Sequence, residues 1–155
     1  MTILFLDFDG VLHAADADDT NLFVHKLALE NLLHKHPHVD VVFSTSWRRM
    51  HKLPELRKFF SEDLQHRFIG VTPFLKPGNT RLHLPYRRAN EILEWIKRHR
   101  QEHPSREFVA VDDDATQFPD DCQWVLLCNK WLGLGCAQTF AQLDERLRVA
   151  LKRFA

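Results

Sequence analysis

The sequence predicts an α/β domain in three layers, a doubly wound parallel sheet with helices on both faces. Short β-branched apolar runs alternate with stretches of helical periodicity along the whole chain of 155 residues. Carboxylate or hydroxyl residues directly follow several of those runs, at the carboxyl ends of strands where open α/β sheets bind ligands. The length suits one core, and no repeat or low-complexity tract divides it, so residues 1–155 are expected to form a single domain.

Ile3 to Leu6 reads as a buried first strand that ends on Asp7-Phe8-Asp9-Gly10-Val11-Leu12-His13. The acidic stretch after it and the short run Leu22-Phe23-Val24 suggest a small hairpin flap folded over the strand end. Leu27, Leu29, Leu32 and Leu33 recur at near-helical spacing up to Pro37, and Val39 to Phe43 is a second strand, completing one βαβ unit. Ser46 is placed to N-cap a helix reaching about Phe60. Phe68 to Val71 is a weaker third strand, closed by Thr72-Pro73 and a Pro77-Gly78 turn. A helix over about Arg87 to His99 would turn Ile92, Leu93, Trp95 and Ile96 inward, with strands at Phe108 to Val111 and Trp124 to Cys128 behind it. Phe140, Leu143, Leu147, Ala150, Leu151 and Phe154 share one face of a last helix.

Composition narrows the class. Hydrophobic content of 45% with 27% charged residues is that of a soluble globular domain, and a formal charge of zero gives no bulk basic field of the kind that announces a nucleic-acid binder. Cys122, Cys128 and Cys136 are odd in number and lack CxxC spacing, which fits free thiols in a reducing compartment. The chain opens on a strand, with no basic n-region or long apolar span, so a cytoplasmic location is expected. His34, His36 and His38 are spaced so that a helix end would splay them apart, and they read as surface histidines rather than metal ligands.

Four groups of residues lie where such a sheet presents strand or loop ends to one edge. Asp7 and Asp9, two apart on extended backbone, would leave on the same side and repel unless a cation or proton lies between them. Ser44, with Thr45 after it, ends the second strand where a hydroxyl and backbone N–H groups can hold a phosphoryl oxygen. Arg87 and Arg88 open a helix at its positive end, an unfavourable place for a cation without an anionic ligand. Asp112, Asp113 and Asp114 crowd the end of the fourth strand, where a hard cation relieves their repulsion. Each alone is ordinary: Asp-Gly makes turns, serine caps helices, and arginine pairs are usually solvated. Their joint placement is what points to a site.

With these motifs in this order, the chain resembles the haloacid dehalogenase-like (HAD) superfamily of magnesium-dependent phosphohydrolases. Asp7-Phe8-Asp9-Gly10-Val11-Leu12-His13 is similar to its first motif, Ser44 within Val41-Val42-Phe43-Ser44-Thr45-Ser46-Trp47-Arg48 to the second, Arg88 within Arg88-Ala89-Asn90-Glu91-Ile92 to the basic third, and Asp112-Asp113 to the acidic fourth. Ser-Thr-Ser-Trp-Arg, the Arg-x-x-Glu-Ile helix start, the Asp-Asp-Asp strand end and Gly133-Leu134 together resemble the small HAD domains of Swiss Army Knife RNA-repair proteins. The resemblance implies a Rossmann-like core with strand order 3-2-1-4-5 and, from the short intervals between motifs, no cap domain.

The resemblance further implies a division of roles. Asp7 would be the nucleophile, forming an aspartyl-phosphate, and Asp9 the general acid and base, with a pKa raised by Asp7 and by enclosure. Mg2+ would be held by Asp7, by the Asp9 backbone carbonyl and by Asp112 or Asp113. Ser44, Thr45 and Arg88 or Arg87 would hold the phosphoryl oxygens, with Lys76 and Arg81 as outside candidates, Asp114 as a helix cap, and His13 touching substrate. The expected substrate is a phosphomonoester, and an open site admits a nucleic-acid end or another large molecule. The competing reading is a non-catalytic HAD-like module that binds a phosphorylated partner or RNA through Arg48, Arg49, Lys52, Arg87, Arg88 and the Lys130-Trp131 pair. A receiver-like phosphoacceptor is a third, though it has no need of Asp9.

Overall fold

The computed structural model describes residues 1–75, 85–104 and 107–152, with side chains as far as Val149. The Pro77-Gly78 turn, Lys76, Arg81 and Phe154, and the side chains of Ala150 and Leu151, lie outside those limits. Five parallel strands form one sheet in the order β3-β2-β1-β4-β5: β1 (Thr2–Leu6), β2 (Val39–Phe43), β3 (Phe68–Val71), β4 (Glu107–Asp112) and β5 (Val125–Leu127). The expected order is therefore the observed one, and no cap is evident among the described residues. The central position of β1 explains its sequence, since every one of its five residues is buried.

Helices α1 (Lys26–Lys35), α2 (Leu53–Arg57), α3 (Arg87–Arg98) and α4 (Ala137–Lys152) complete the layers. Alternate strand residues divide the core in two. Leu4, Leu6, Val41 and Phe43 pack with Leu29, Leu33, Leu143 and Leu147 on one face, and Ile3, Phe5, Val42 and Ala110 with Ile92 and Trp95 on the other. None of the helices, among the described residues, is long and apolar enough to cross a membrane.

Three expectations for these elements are corrected. The segment after β2 is two pieces, a 3₁₀ turn at Ser46–Arg49 and then α2, where Pro54 occupies the first turn. Proline lacks an N–H and fits only the start of a helix, so a continuous helix through it is excluded. Thr45, not Ser46, caps the 3₁₀ turn, its hydroxyl accepting from Trp47 N at 3.2 Å. Leu22-Phe23-Val24 is a series of turns rather than a strand, and Phe23 adopts a left-handed backbone (φ 58°). Its ring is docked against Phe8, Trp47 and Phe59, with centroids 5.0–5.3 Å away, so this segment packs into the core. Leu93, expected inward, is 46% exposed.

A buried arginine braces the corner between α1 and β2. Arg67 donates to the carbonyls of Leu33 at 2.6 Å, of His36 at 2.7 Å and of Val39 through both Nε and Nη2. These bonds add a second donor to the Leu33 and His36 carbonyls, which also accept from His36 N at 3.2 Å and Val39 N at 3.1 Å. His36 is itself buried, its Nε2 2.6 Å from Asp144 Oδ1 on α4, so this histidine is an interior tie rather than a surface group.

Phe8 is the hub of the larger core half. Its ring, fully buried, lies within 6.4 Å of the rings of Phe23, Phe43, Trp47, Phe59 and Phe60. Phe8→Ala is expected to lower stability by about 3–5 kcal/mol in urea denaturation; a loss below about 1 kcal/mol would contradict this packing.

Candidate active site

The carboxyl ends of the strands meet at one edge. Asp7 N donates to Val111 O at 3.2 Å, Ser44 N to Leu6 O at 2.9 Å and Cys128 N to Asp112 O at 2.8 Å, so sheet pairing itself sets Asp7, Ser44 and Asp112 side by side. A cleft of about 330 Å³ opens there, lined among others by Asp7, Asp9, Arg88, Asp112 and Asp113.

Carboxylate oxygens of Asp7, Asp112 and Asp113 all lie within 4.8 Å of one another. Asp7 and Asp112 are buried, and burial pushes the Asp112 carboxyl up to about 6. Burial likewise raises Asp7 well above the ordinary carboxylate range, with Asp112 adding repulsion, and it also raises Asp113. Arg88 answers this charge: its Nη1 lies 3.1 Å from Asp112 Oδ2 and 3.4 Å from Asp7 Oδ1. Burial alone would lower its pKa, but Asp7, Asp112 and Glu91 outweigh that and raise it. Arg87 is exposed at the rim of the same cleft.

Gly10 makes the close approach possible. Its backbone is left-handed (φ +75°), and a Cβ there would stand 2.2 Å from Asp113 Oδ2. Gly133, also at positive φ, lets the 3₁₀ turn Gly133–Gly135 lie against the Val11 carbonyl, which accepts from Leu134 N at 2.9 Å.

Asp9 sits apart from the carboxylate group. The chain leaves the extended form after Leu6 and turns, Val11 N and Leu12 N both donating to Phe8 O, so the alternation expected to align Asp9 with Asp7 no longer applies. Asp9 Oδ1 lies 2.8 Å from His13 Nε2, and Asp9 Oδ2 accepts from Trp47 Nε1 at 3.1 Å. Its pKa is lowered, chiefly by His13 and further by Trp47, and its side chain is 43% exposed. The expected rise is thus reversed, because two donors favour the ionised form more than partial enclosure disfavours it. His13, expected to touch substrate, is buried behind Asp9.

Ser44 is buried, and its hydroxyl has no hydrogen-bond partner among the described residues, a costly state for an enclosed polar atom. It lies behind the cleft wall, which Ser44 does not line. Thr45 is fully buried with its hydroxyl committed to the cap. Arg48 is enclosed, paired with Glu91 of α3 and donating to the carbonyls of Ser44 at 3.0 Å, Thr45 at 2.8 Å and Thr72 at 3.1 Å. It therefore braces the loop after β2 while also lining the cleft. Asp114 caps the next turn, its carboxylate accepting from Thr116 N at 3.0 Å. The Lys130-Trp131 pair is elsewhere, with Trp131 lining a separate depression beside Asp16 and Asp18.

Sequence reasoning missed the Arg48–Glu91 pair and the two donors on Asp9. Only the short spacing of His13 from Asp9 hinted at either.

This sheet order, with carboxylates on the ends of β1 and β4 and an arginine from the intervening helix, defines a HAD-like domain of the phosphohydrolase superfamily. The family described as the HAD domain in Swiss Army Knife RNA repair proteins matches residues 3–138, and the chain belongs to it. No match is found among curated proteins or among solved structures. HAD proteins generally use Mg2+, and the donor set here suits it, since Asp7, Asp112 and Asp113 offer hard oxygen ligands in one place.

The raised carboxyls give a pH signature. They bind protons more tightly folded than unfolded, so their ionisation costs stability as pH rises, for Asp112 in full above about pH 6, and the cost fades as pH falls toward the ordinary carboxylate range. The metal-free protein is expected to melt higher at about pH 5.5 than at about pH 7.5. Millimolar Mg2+ is expected to raise Tm by several degrees at the higher pH and much less at the lower. Calorimetry at both values checks this, and a Tm indifferent to Mg2+ would remove the assignment.

Proposed function

We propose that this chain is a Mg2+-dependent phosphohydrolase acting on phosphomonoesters at nucleic-acid ends, through an aspartyl-phosphate on Asp7. The observation that carries this reading is the meeting of Asp7, Asp112, Asp113 and Arg88 at one strand edge, with the unpartnered Ser44 hydroxyl at the end of the next strand.

In the first step an Asp7 carboxylate oxygen bonds to phosphorus as the ester P–O bond breaks, and Asp9 gives its proton to the departing oxygen. Asp9 is ionised at rest, so it first takes this proton from solvent or from the monoanionic substrate as the phosphate binds, the incoming negative charge raising its proton affinity. In the second step Asp9 takes a proton from water as the water oxygen bonds to phosphorus and the bond to Asp7 breaks, releasing inorganic phosphate. Arg88 and Ser44 hold phosphoryl oxygens throughout. Mg2+, held by Asp7 with Asp112 and Asp113, would offset the repulsion between carboxylate and phosphate.

The rim supports a large, charged substrate. Phe74 is 40% exposed, with the Arg49 guanidinium 5.2 Å from its ring centre. Neither Arg49 nor Arg87 has an ion-pair partner among the described residues. An aromatic face beside free cations suits a base and the phosphodiester behind it. The low proton affinity of Asp9 at rest is the observation that favours the second reading, a non-catalytic module binding a phosphorylated partner or RNA.

A phosphatase panel of an aryl phosphate, nucleotides, phosphopeptides and 3′- or 5′-phosphorylated oligonucleotides, with and without Mg2+, separates the two. Turnover is expected only with Mg2+, and Asp7→Asn should reduce it by about 10³-fold or more; binding of oligonucleotides without any turnover would establish the second reading. Within the active protein, Arg88→Ala should weaken every substrate by about tenfold or more, whereas Arg49→Ala, Phe74→Ala and Arg87→Ala should raise KM for oligonucleotides alone. A larger loss on aryl phosphate from Arg87→Ala than from Arg88→Ala would exchange the two assignments.

A further inference from the structure

The polar contacts behind Asp9 are more complete than packing requires. His13 is 1% exposed and is held from both sides of its ring. Phe23 N lies 3.2 Å from Nδ1 and can only donate, so Nδ1 is the bare nitrogen and Nε2 carries the hydrogen that Asp9 Oδ1 accepts. That backbone N–H is aimed by the left-handed conformation of Phe23, which is uncommon for an aromatic residue and persists only where surrounding contacts enforce it. Trp47, donating to the other oxygen of Asp9, is wedged among Phe8, Phe23 and Phe59 at centroid separations of 5.3–5.7 Å. Both donors are therefore anchored in the core, and neither can follow Asp9 if it swings.

We propose that His13 and Trp47 are positioning residues that clamp one oxygen each of Asp9, fixing the plane of its carboxyl so that the exposed edge faces the cleft. The inference rests on the acid and base role given to Asp9 above. A fixed carboxyl hands its proton to the leaving oxygen, and later takes one from water, without first searching rotamers. Misplacement by about 1 Å in such a group costs up to 10²-fold in rate. Since protonation matters most when the departing oxygen is strongly basic, loss of the clamp should be felt unequally by different esters.

The test compares p-nitrophenyl phosphate, whose leaving group departs readily as an anion, with phenyl phosphate, whose leaving group needs the proton. Trp47→Phe keeps an aromatic ring at this position and removes the N–H, together with part of the indole bicycle. His13→Leu removes a donor, and His13→Gln restores one near the position of Nε2. Trp47→Phe and His13→Leu should each reduce kcat for phenyl phosphate by about 10²-fold and for p-nitrophenyl phosphate by about tenfold, with KM nearly constant and His13→Gln recovering most of the loss. Equal losses on both esters, or a change confined to KM, would overturn the proposal. If the wild-type protein turns over no phosphomonoester, the phosphohydrolase reading fails, and the clamp is still decided by the Trp47 indole N–H resonance. That resonance should move markedly in Asp9→Ala, and an unmoved signal would overturn the clamp itself.

Discussion

Three carboxylates share a space small enough that their oxygens lie within 4.8 Å of one another, on the ends of two adjacent parallel strands, and the cost of keeping them there organises the rest of the edge. Strand pairing forces Asp7 and Asp112 together, because β1 and β4 are neighbours in register from Thr2↔Glu107 to Leu6↔Val111. Repulsion in a desolvated site is relieved by neutralisation, by a cation, or by both. Arg88 supplies part of the relief from the first turn of α3, at a helix end where its charge would otherwise be unwelcome. Gly10 removes the steric obstacle to Asp113. The Arg48–Glu91 pair then fixes α3, the helix that carries Arg88, to the loop that follows β2 and carries Ser44, so these two parts of the edge are held as one piece.

The motif order was readable because the acidic and hydroxyl residues directly follow apolar runs and the arginines open a helix, and a parallel sheet brings such strand and loop ends to a shared edge. The helices at α1, α3 and α4 follow from their hydrophobic periodicity, whereas the strand order comes from the family resemblance. The failures have a common cause in tertiary contacts that period and propensity do not register. Leu22-Phe23-Val24 has the composition of a strand, yet Phe23 is worth more to the core as a ring against Phe8 and Phe59 than as part of a ladder. A helix starting at Ser46 runs into Pro54, and the structure divides the segment just ahead of it. The proton affinity of Asp9 went the wrong way because enclosure was inferred from its neighbours in sequence, while the donors that matter come from Trp47, thirty-eight residues away, and from a buried His13.

The acidic residues of the edge thus fall into two kinds, a group of three and a single carboxylate. Asp7 with Asp112 and Asp113 is a place where charge is concentrated and left to be compensated. Asp9 is a place where charge has already been compensated by neutral donors. A phosphohydrolase needs both conditions within reach of one phosphate, since the group that attacks must be brought close to an anion and the group that moves protons must stay oriented while its charge changes.

Arg67 has a different kind of consequence. Each of its acceptors at the α1–β2 corner is a main-chain carbonyl, and no substitution at Leu33, His36 or Val39 can delete a carbonyl. The Arg67 contacts at this corner are therefore insured against change at the acceptor positions while depending on one distant side chain. Sequence drift is cheap on one side of this contact and prohibitive on the other, so tolerance to mutation in this domain is set by which partner contributes backbone and which contributes a guanidinium.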